Sequence, residues 1–266
     1  MSLQSARAKG DVPTRRLLSE RDIEDFRRDG YLVVRQLYDR GEMQRIAAWT
    51  DEVAAYPPIA GKYMMYYEDS LVQPDKRILA RIENFYPYHA EFAELLDGDG
   101  MLGRVAEFFG ERAVLFKDKI NFKLPGGNGF TPHQDAQAGW NDYASLHITV
   151  LLSIDPSTIE NGCLELVAGR HQRGLIGSLW KPLQGEELED MAFVPCPTEP
   201  GDVVFFDSYC PHRSGPNLTD QARRVLYITY SRLAEGDHRA RYYADKRRNY
   251  PPDCERELGK EYVFRV

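Results

Sequence analysis

Short apolar strands separated by Gly and Pro turns fill the chain from about residue 114 onward, and helical periodicity is gathered in the first 110 residues. Together these predict a mainly β protein with a double-stranded β-helix (jelly-roll) core and flanking α-helices, mostly N-terminal. With 266 residues, 42% of them hydrophobic, the chain can bury a sizeable core, and all-β domains of this length are routine. The expectation is a disordered lead-in over residues 1–16 and a single domain over 17–266.

Ser19, followed by Asp22 with Ile23 and Phe26 three apart, reads as a short capped amphipathic helix that Gly30 ends. Tyr31–Val34 is a first strand, and 39–55 a longer helix closed by Pro57 and Pro58. Residues 62–68 and 81–88 are dense in tyrosines and charges and suit strands or loops over a barrel mouth. Their rings are either partly buried with wet hydroxyls or a substrate wall. Residues 89–110 read as helical. Residues 114–123 then alternate, with Lys117, Lys119, Asn121 and Lys123 on one face. That face is either half-solvated or looks into a site for a dianionic ligand. Residues 124–129 form a turn, 146–155 a central apolar strand in which His147 reads as a core histidine, and 174–191 a polar excursion.

The net charge of −7 argues against a general nucleic-acid binder, which needs a basic face. No apolar run approaches the roughly 20 residues that span a bilayer. The basic N-terminus lacks the apolar segment of a secretory signal. Cys163, Cys196, Cys210 and Cys254 have no framework spacing and read as reduced thiols. A cytoplasmic protein with a small-molecule partner, and neither nucleic acid nor membrane, is expected.

The chemistry centres on residues 130–140. His133 and Asp135 lie two apart, so on an extended strand both leave one face. His212, following the apolar strand 200–207, supplies a third ligand. Two imidazoles and a carboxylate cover one face of an octahedral ion and leave three positions open, which is the facial triad of non-haem Fe(II) oxygenases. Arg223 heads the strand 223–230.

These motifs, with Asp29-Gly30, Glu160-Asn161-Gly162 through Gly169-Arg170-His171, and Gly201-Asp202 with His212-x-Ser214-Gly215-x-Asn217, resemble the phytanoyl-CoA dioxygenase family of Fe(II)/2-oxoglutarate oxygenases, to which ectoine hydroxylase also belongs. The resemblance runs from about Leu18 to Tyr230. It implies a metal held by His133, Asp135 and His212, and 2-oxoglutarate and O2 as co-substrates. Arg223 is implied for the distal carboxylate of 2-oxoglutarate, with Asn121 and Thr149 assisting. Arg224 leaves the opposite face of the strand and is read as a structural ion pair. Halogenating relatives lack the carboxylate ligand; Asp135 is kept, so hydroxylation is favoured.

Within the family the chain is most similar to dioxygenases of 2-aminoethylphosphonate and its N-trimethyl analogue. This implies α-carbon hydroxylation in organophosphonate catabolism. Lys117 and Lys119 suit the phosphonate, Glu68 an ammonium, and Tyr66, Tyr67, Tyr86 and Trp140 an aromatic cage for a quaternary amine. Three other readings stay open: a hydroxylase of another small zwitterion (amino-acid or ectoine-like), a protein hydroxylase, and a non-catalytic metal-binding sensor. Acyl-CoA is disfavoured because no basic stretch suits the nucleotide.

Overall fold

The computed structural model describes residues 9–262. Helix α1 (Glu20–Asp29) and helix α2 (Arg40–Ala54) each begin with a capping box, Ser19 with Asp22 and Asp39 with Glu42. Each such cap is worth about 1 kcal/mol. Strand β1 (Tyr31–Val34) follows Gly30, whose φ is 81°; a Cβ there would collide with the His171 ring. This explains the pairing of Asp29-Gly30 with Gly169-Arg170-His171: the Gly169 amide donates to the Asp29 carbonyl at 2.8 Å. The 62–68 and 81–88 stretches contain strands β2 (Met64–Asp69) and β3 (Arg77–Glu83). The helix expected over 89–110 is two helices, α3 (Ala90–Asp97) and α4 (Arg104–Phe109). The wide turn Asp99–Gly103 separates them, where Gly100 and Gly103, with Gly98 just before, weaken helix propensity.

From β4 (Ala113–Lys123) onward, the strands alternate between two antiparallel sheets, save that the consecutive seventh and eighth strands share the smaller one. Strands β4, β6 (His147–Ser153), β9 (Val203–Asp207) and β11 (Arg223–Arg232) join the first three in a seven-stranded sheet, ordered β1-β9-β6-β11-β4-β3-β2. Strands β5 (Phe130–His133), β10 (His212–Ser214), β7 (Leu164–Leu166) and β8 (Val194–Cys196) form a four-stranded sheet in that order. This alternation is a double-stranded β-helix.

The outer face of the large sheet, with Ile120, Ile148, Val150, Leu226 and Ile228, packs on the helices in the main core. The inner face meets the small sheet, where Leu151, Val204, Phe206 and Val225 pack on Leu164 and Leu166. Period-two alternation thus sends one parity of β4, β6 and β11 into the main, largely apolar core and the other between the sheets. Arg224 goes outward, its Nε and Nη2 each 2.8 Å from an Asp155 carboxylate oxygen.

Two features depart from expectation. Residues 1–8 of the lead-in lie outside the described residues, but from Lys9 on the chain is fastened. The Gly10 carbonyl accepts from the Ala113 amide at 3.0 Å, and Lys9 pairs with Asp97 at 2.7 Å. A fifth helix, α5 (Arg239–Asn249), follows the last strand and buries Tyr242 and Tyr243 near β4.

Candidate active site

His133 ends β5, and His212 begins the antiparallel neighbour β10 directly opposite it, so strand register brings the imidazoles together. Their centroids are 4.3 Å apart. Asp135 is not on the strand; it opens the turn Asp135–Ala138. Convergence survives because Gln134 keeps an extended backbone (φ −109°, ψ 137°), so alternation carries through to Asp135. The opposed Gln134 side chain is fully buried. It donates to the Gly174 and Tyr209 carbonyls and accepts from the Ile176 amide, tying the 174–191 excursion to the site.

Each histidine directs Nδ1 at a backbone carbonyl, Thr131 at 2.7 Å and Cys210 at 3.0 Å. That fixes the proton on Nδ1 and leaves Nε2 as a lone-pair donor. Burial first, and the neighbouring His212 second, push His133 down to about 3, so it is neutral as a ligand must be. Burial opposes ionisation of Asp135, but the neighbouring His212 and His133 together with the Lys119 and Lys117 ammoniums hold its pKa below the usual value. One ligand atom from each residue lies within 4.8 Å of the others, with His212 Nε2 4.0 Å from Asp135 Oδ1. Donor type, protonation and spacing all fit a divalent metal.

Thr149 does something other than the expected contact with co-substrate. Its hydroxyl is 3.0 Å from Asp135 Oδ2 and 3.1 Å from Thr229 Oγ1. A carboxylate cannot donate, so the single Thr149 proton points at Asp135 and Thr229 donates to Thr149. With no proton left to offer a second carboxylate, Thr149 orients Asp135, a candidate metal ligand. Thr149→Val is expected to weaken Fe(II) binding about 10- to 100-fold, and Thr149→Ser to preserve it, by equilibrium dialysis.

Beside the triad, a cavity of about 570 Å³ is walled by the inner face of β3 and β4. Lys117, Lys119, Asn121 and Trp140 all reach this region. Lys117 stands 5.3 Å from the Trp140 ring and Lys119 4.6 Å from the Tyr227 ring. Neither ammonium donates a hydrogen bond to protein among the described residues. Burial, then the charge of Lys117, push Lys119 down to about 7. The Asn121 side-chain oxygen is buried without a partner. Trp140 is both wall and core, edge-on to Phe116 and to His147. His147 is a core histidine, fully buried and pushed down to about 4 by that burial.

Arg223 is 1% exposed; its Nε donates to Ser157 Oγ at 2.7 Å, and its buried Nη2 has no hydrogen-bond partner. It lies on the same face as Tyr227, which lines the recess around the triad. Its cross-strand neighbour is Lys123, which burial and then Arg223 push down to about 6. Among the described residues Arg223 has no carboxylate partner. A buried guanidinium of this kind fits the carboxylate of a ligand.

Four residues expected around a substrate are not brought to the cavity. Tyr66 is buried with its hydroxyl on the Tyr250 carbonyl at 2.9 Å, and the Tyr86 hydroxyl donates to Asp97 at 2.8 Å. Tyr67 lies under Arg77, and Glu68 accepts from the Asn128 amide. Backbone and ion-pair partners had claims on these groups that composition alone did not reveal. The aromatic cage is therefore not assembled from the expected tyrosines.

Sequence reasoning missed Arg81 and Glu83 of β3 and Tyr242 and Lys246 of α5, which line the cavity instead. Glu83 is 1% exposed and lies 3.1 Å from Arg81 Nε and 2.7 Å from Lys246 Nζ. Burial pushes its pKa up, but Lys117, Lys246 and Arg81 together hold it well below the usual carboxylate range. A signal was present: Arg81 and Glu83 alternate within a strand whose positions 78, 79, 80 and 82 are apolar.

Two imidazoles and a carboxylate at adjacent strand ends, inside a double-stranded β-helix and beside a buried unpaired arginine, define a non-haem iron oxygenase of the 2-oxoglutarate-dependent class. The sequence profile of phytanoyl-CoA dioxygenase (PhyH) matches residues 26–225. The 2-aminoethylphosphonate dioxygenase of uncultured bacterium HF130_AEPn_1 is 41% identical over 239 residues, covering 88% of this chain and 89% of that protein. The methylphosphonate hydroxylase of Gimesia maris is 39% identical over 237 residues, covering 88% of each. Among solved structures, EctD from S. alaskensis with 2-oxoglutarate and 5-hydroxyectoine superposes with a TM-score of 0.69 at 19% identity, over 88% of this chain and 87% of that one, and shares the fold. The chain belongs to the phytanoyl-CoA dioxygenase family and is an Fe(II)- and 2-oxoglutarate-dependent dioxygenase. No helix among the described residues is long and apolar enough to cross a membrane.

Proposed function

We propose that residues 17–266 act as one oxygenase domain that hydroxylates a small phosphonate on the carbon next to phosphorus. The observation that carries this is the pair Lys117 and Lys119. They are cations without hydrogen-bond acceptors among the described residues, on a cavity wall that continues to His133 and Asp135. A phosphonate offers charge and three acceptor oxygens to such a pair. The two relatives named above act on phosphonates that differ in whether they carry an amine, so the phosphonate is their common element.

In this reading Lys117 and Lys119 bind the phosphonate and set its α-carbon against the metal site. Arg223 holds the distal carboxylate of 2-oxoglutarate, and the Asn121 amide can turn its NH2 toward the same ligand. Thr149 and Thr229 hold Asp135 in place. With iron and 2-oxoglutarate bound, the centre would use O2 to convert a C–H bond to C–OH, one oxygen atom going to the product and the other to the succinate that forms as 2-oxoglutarate loses CO2. Trp180 closes one side of the cavity, its amide donating to the Gln137 carbonyl at 2.8 Å. Gly139, at φ 72°, gives the Trp180 ring room that a Cβ would take.

The test is succinate formation by Fe(II)-loaded enzyme with 2-aminoethylphosphonate, its N-trimethyl analogue, methylphosphonate, ectoine and free amino acids. Succinate coupled to a hydroxylated phosphonate is expected. Turnover confined to ectoine or amino acids would move the substrate to another zwitterion. No succinate from iron-loaded protein under any condition would return the sensor reading.

Lys119 carries a second expectation, on stability. Its folded pKa lies below that of an unfolded lysine, so keeping it charged costs stability at and below about pH 7. The cost fades as pH rises toward about 10.4, the value of a free lysine. Lys119→Met is expected to raise the Tm of the ligand-free protein at pH 6 and to lose that advantage by pH 10. Thermal unfolding across that range checks the sign.

A further inference from the structure

Charge around the inner end of the cavity is unbalanced in a particular way. Lys117, Lys119, Lys246 and Arg81 face it, and Glu83 is the buried carboxylate among them. Asp135 lies on the metal side. At the mouth, Asp245 is engaged by the Tyr143 hydroxyl at 2.9 Å and by Arg241 and Arg248. Glu83 pairs with Arg81 and Lys246, and among the described residues no carboxylate pairs with Lys117 or Lys119.

Lys246 differs from the other lysines because it arrives on α5 rather than on the sheet. Its Nζ lies 2.8 Å and 2.7 Å from the two Glu83 oxygens. An ammonium has three protons, and a single carboxylate cannot use all of them well. The Lys246 Nζ also stands 5.9 Å from the Tyr242 ring, and the Lys117 Nζ stands 5.7 Å from the same ring. The helix-borne cation and the sheet-borne cation thus share one ring at the cavity wall.

Resting on the phosphonate reading, we propose that Lys246 is a specificity-determining ligand of the substrate. Held in place by Glu83, it completes with Lys117 and Lys119 a three-ammonium site matched to a dianionic phosphonate rather than to a monoanionic carboxylate. A dianion neutralises the excess charge of this wall, and a carboxylate leaves part of it uncompensated. Discrimination then comes from cation–cation repulsion that only the right ligand relieves, as well as from attraction. Because Lys246 belongs to α5, the substrate also links the helix to the sheet.

The experiment measures anaerobic binding of 2-aminoethylphosphonate and of its carboxylate counterpart, 3-aminopropanoate, to the Fe(II)- and 2-oxoglutarate-loaded protein. The readouts are calorimetry and the perturbation of its visible absorption. Wild-type protein is expected to bind the phosphonate more tightly. Lys246→Met is expected to weaken phosphonate binding by about 10- to 100-fold and to move the carboxylate by less than about 3-fold. Lys246→Arg is expected to restore much of the preference, and 2-oxoglutarate affinity should stay unchanged in both. Should Lys246→Met unfold, Lys246→Gln removes the charge, keeps a neutral donor near Glu83, leaves the Glu83–Arg81 pair in place and is expected to show the same lost preference. Equal losses for both ligands, or no loss, in a folded variant would make Lys246 a purely structural anchor for α5 and overturn the inference. Wild-type protein that binds no phosphonate would instead overturn the functional reading on which it rests.

Discussion

Asp135→Ala is expected to abolish turnover, lowering succinate formation by more than about 10³-fold, because one of three metal ligands is lost with its charge. The variant leaves His133 and His212 as a two-nitrogen site and leaves Thr149 without the acceptor it now has at 3.0 Å. Asp135→Asn keeps the shape and an oxygen for Thr149 but lacks the negative charge. It is expected to fall between wild type and alanine in Fe(II) affinity. Neither change touches the apolar layer between the sheets, so both should remain folded by circular dichroism. Fe(II) retention in dialysis and succinate yield are measured together. A variant that kept both would remove Asp135 from the metal site and the facial triad with it.

What the sequence disclosed here depended on period two. Alternation placed Lys117, Lys119, Asn121 and Lys123 on one face of β4, and separated Arg223 from Arg224. Both assignments need only that a strand be a strand, since each residue reverses the side-chain direction. The same rule brought Asp135 to His133 even though the strand had ended, because Gln134 alone had to stay extended. Motifs that looked chemical were partly architectural. Gly169 and His171 fasten the α1–β1 junction, and the Asn217 amide donates to the Lys123 and Gln221 carbonyls.

What stayed hidden was contact between distant segments. The tyrosines of 62–68 and 81–88 had the right chemistry for a cage, but a tyrosine ring goes wherever its hydroxyl finds a partner. Tyr66 found one at Tyr250 and Tyr86 one at Asp97. Helix α5 has no clean apolar stripe to announce its docking; it is held by two adjacent tyrosines, by Arg239 on the buried Asp118 and by Lys246 on Glu83. A lysine in such a helix reads as solvated, and only the fold shows that it faces a buried carboxylate more than 160 residues earlier.

Arg223→Met is expected to raise the Kd for 2-oxoglutarate by about 10²- to 10³-fold, the usual consequence of truncating one partner of a buried, hydrogen-bonded charge pair. Arg223→Lys should recover part of it, since an ammonium supplies the charge without the paired geometry of a guanidinium. Stability separates this role from a structural one. A residue that served the fold through an ion pair would lower the Tm on removal. Arg223 has no carboxylate partner among the described residues, and it pushes its neighbour Lys123 down. Its loss should therefore leave the Tm of the ligand-free protein unchanged or higher. Adding 2-oxoglutarate at about 100 times its wild-type Kd should stabilise the wild type by about 2.7 kcal/mol and the variant by almost nothing. A variant that lost Tm in the ligand-free state yet still gained the full increment from 2-oxoglutarate would place the distal carboxylate elsewhere, with Lys123 the next cation to test.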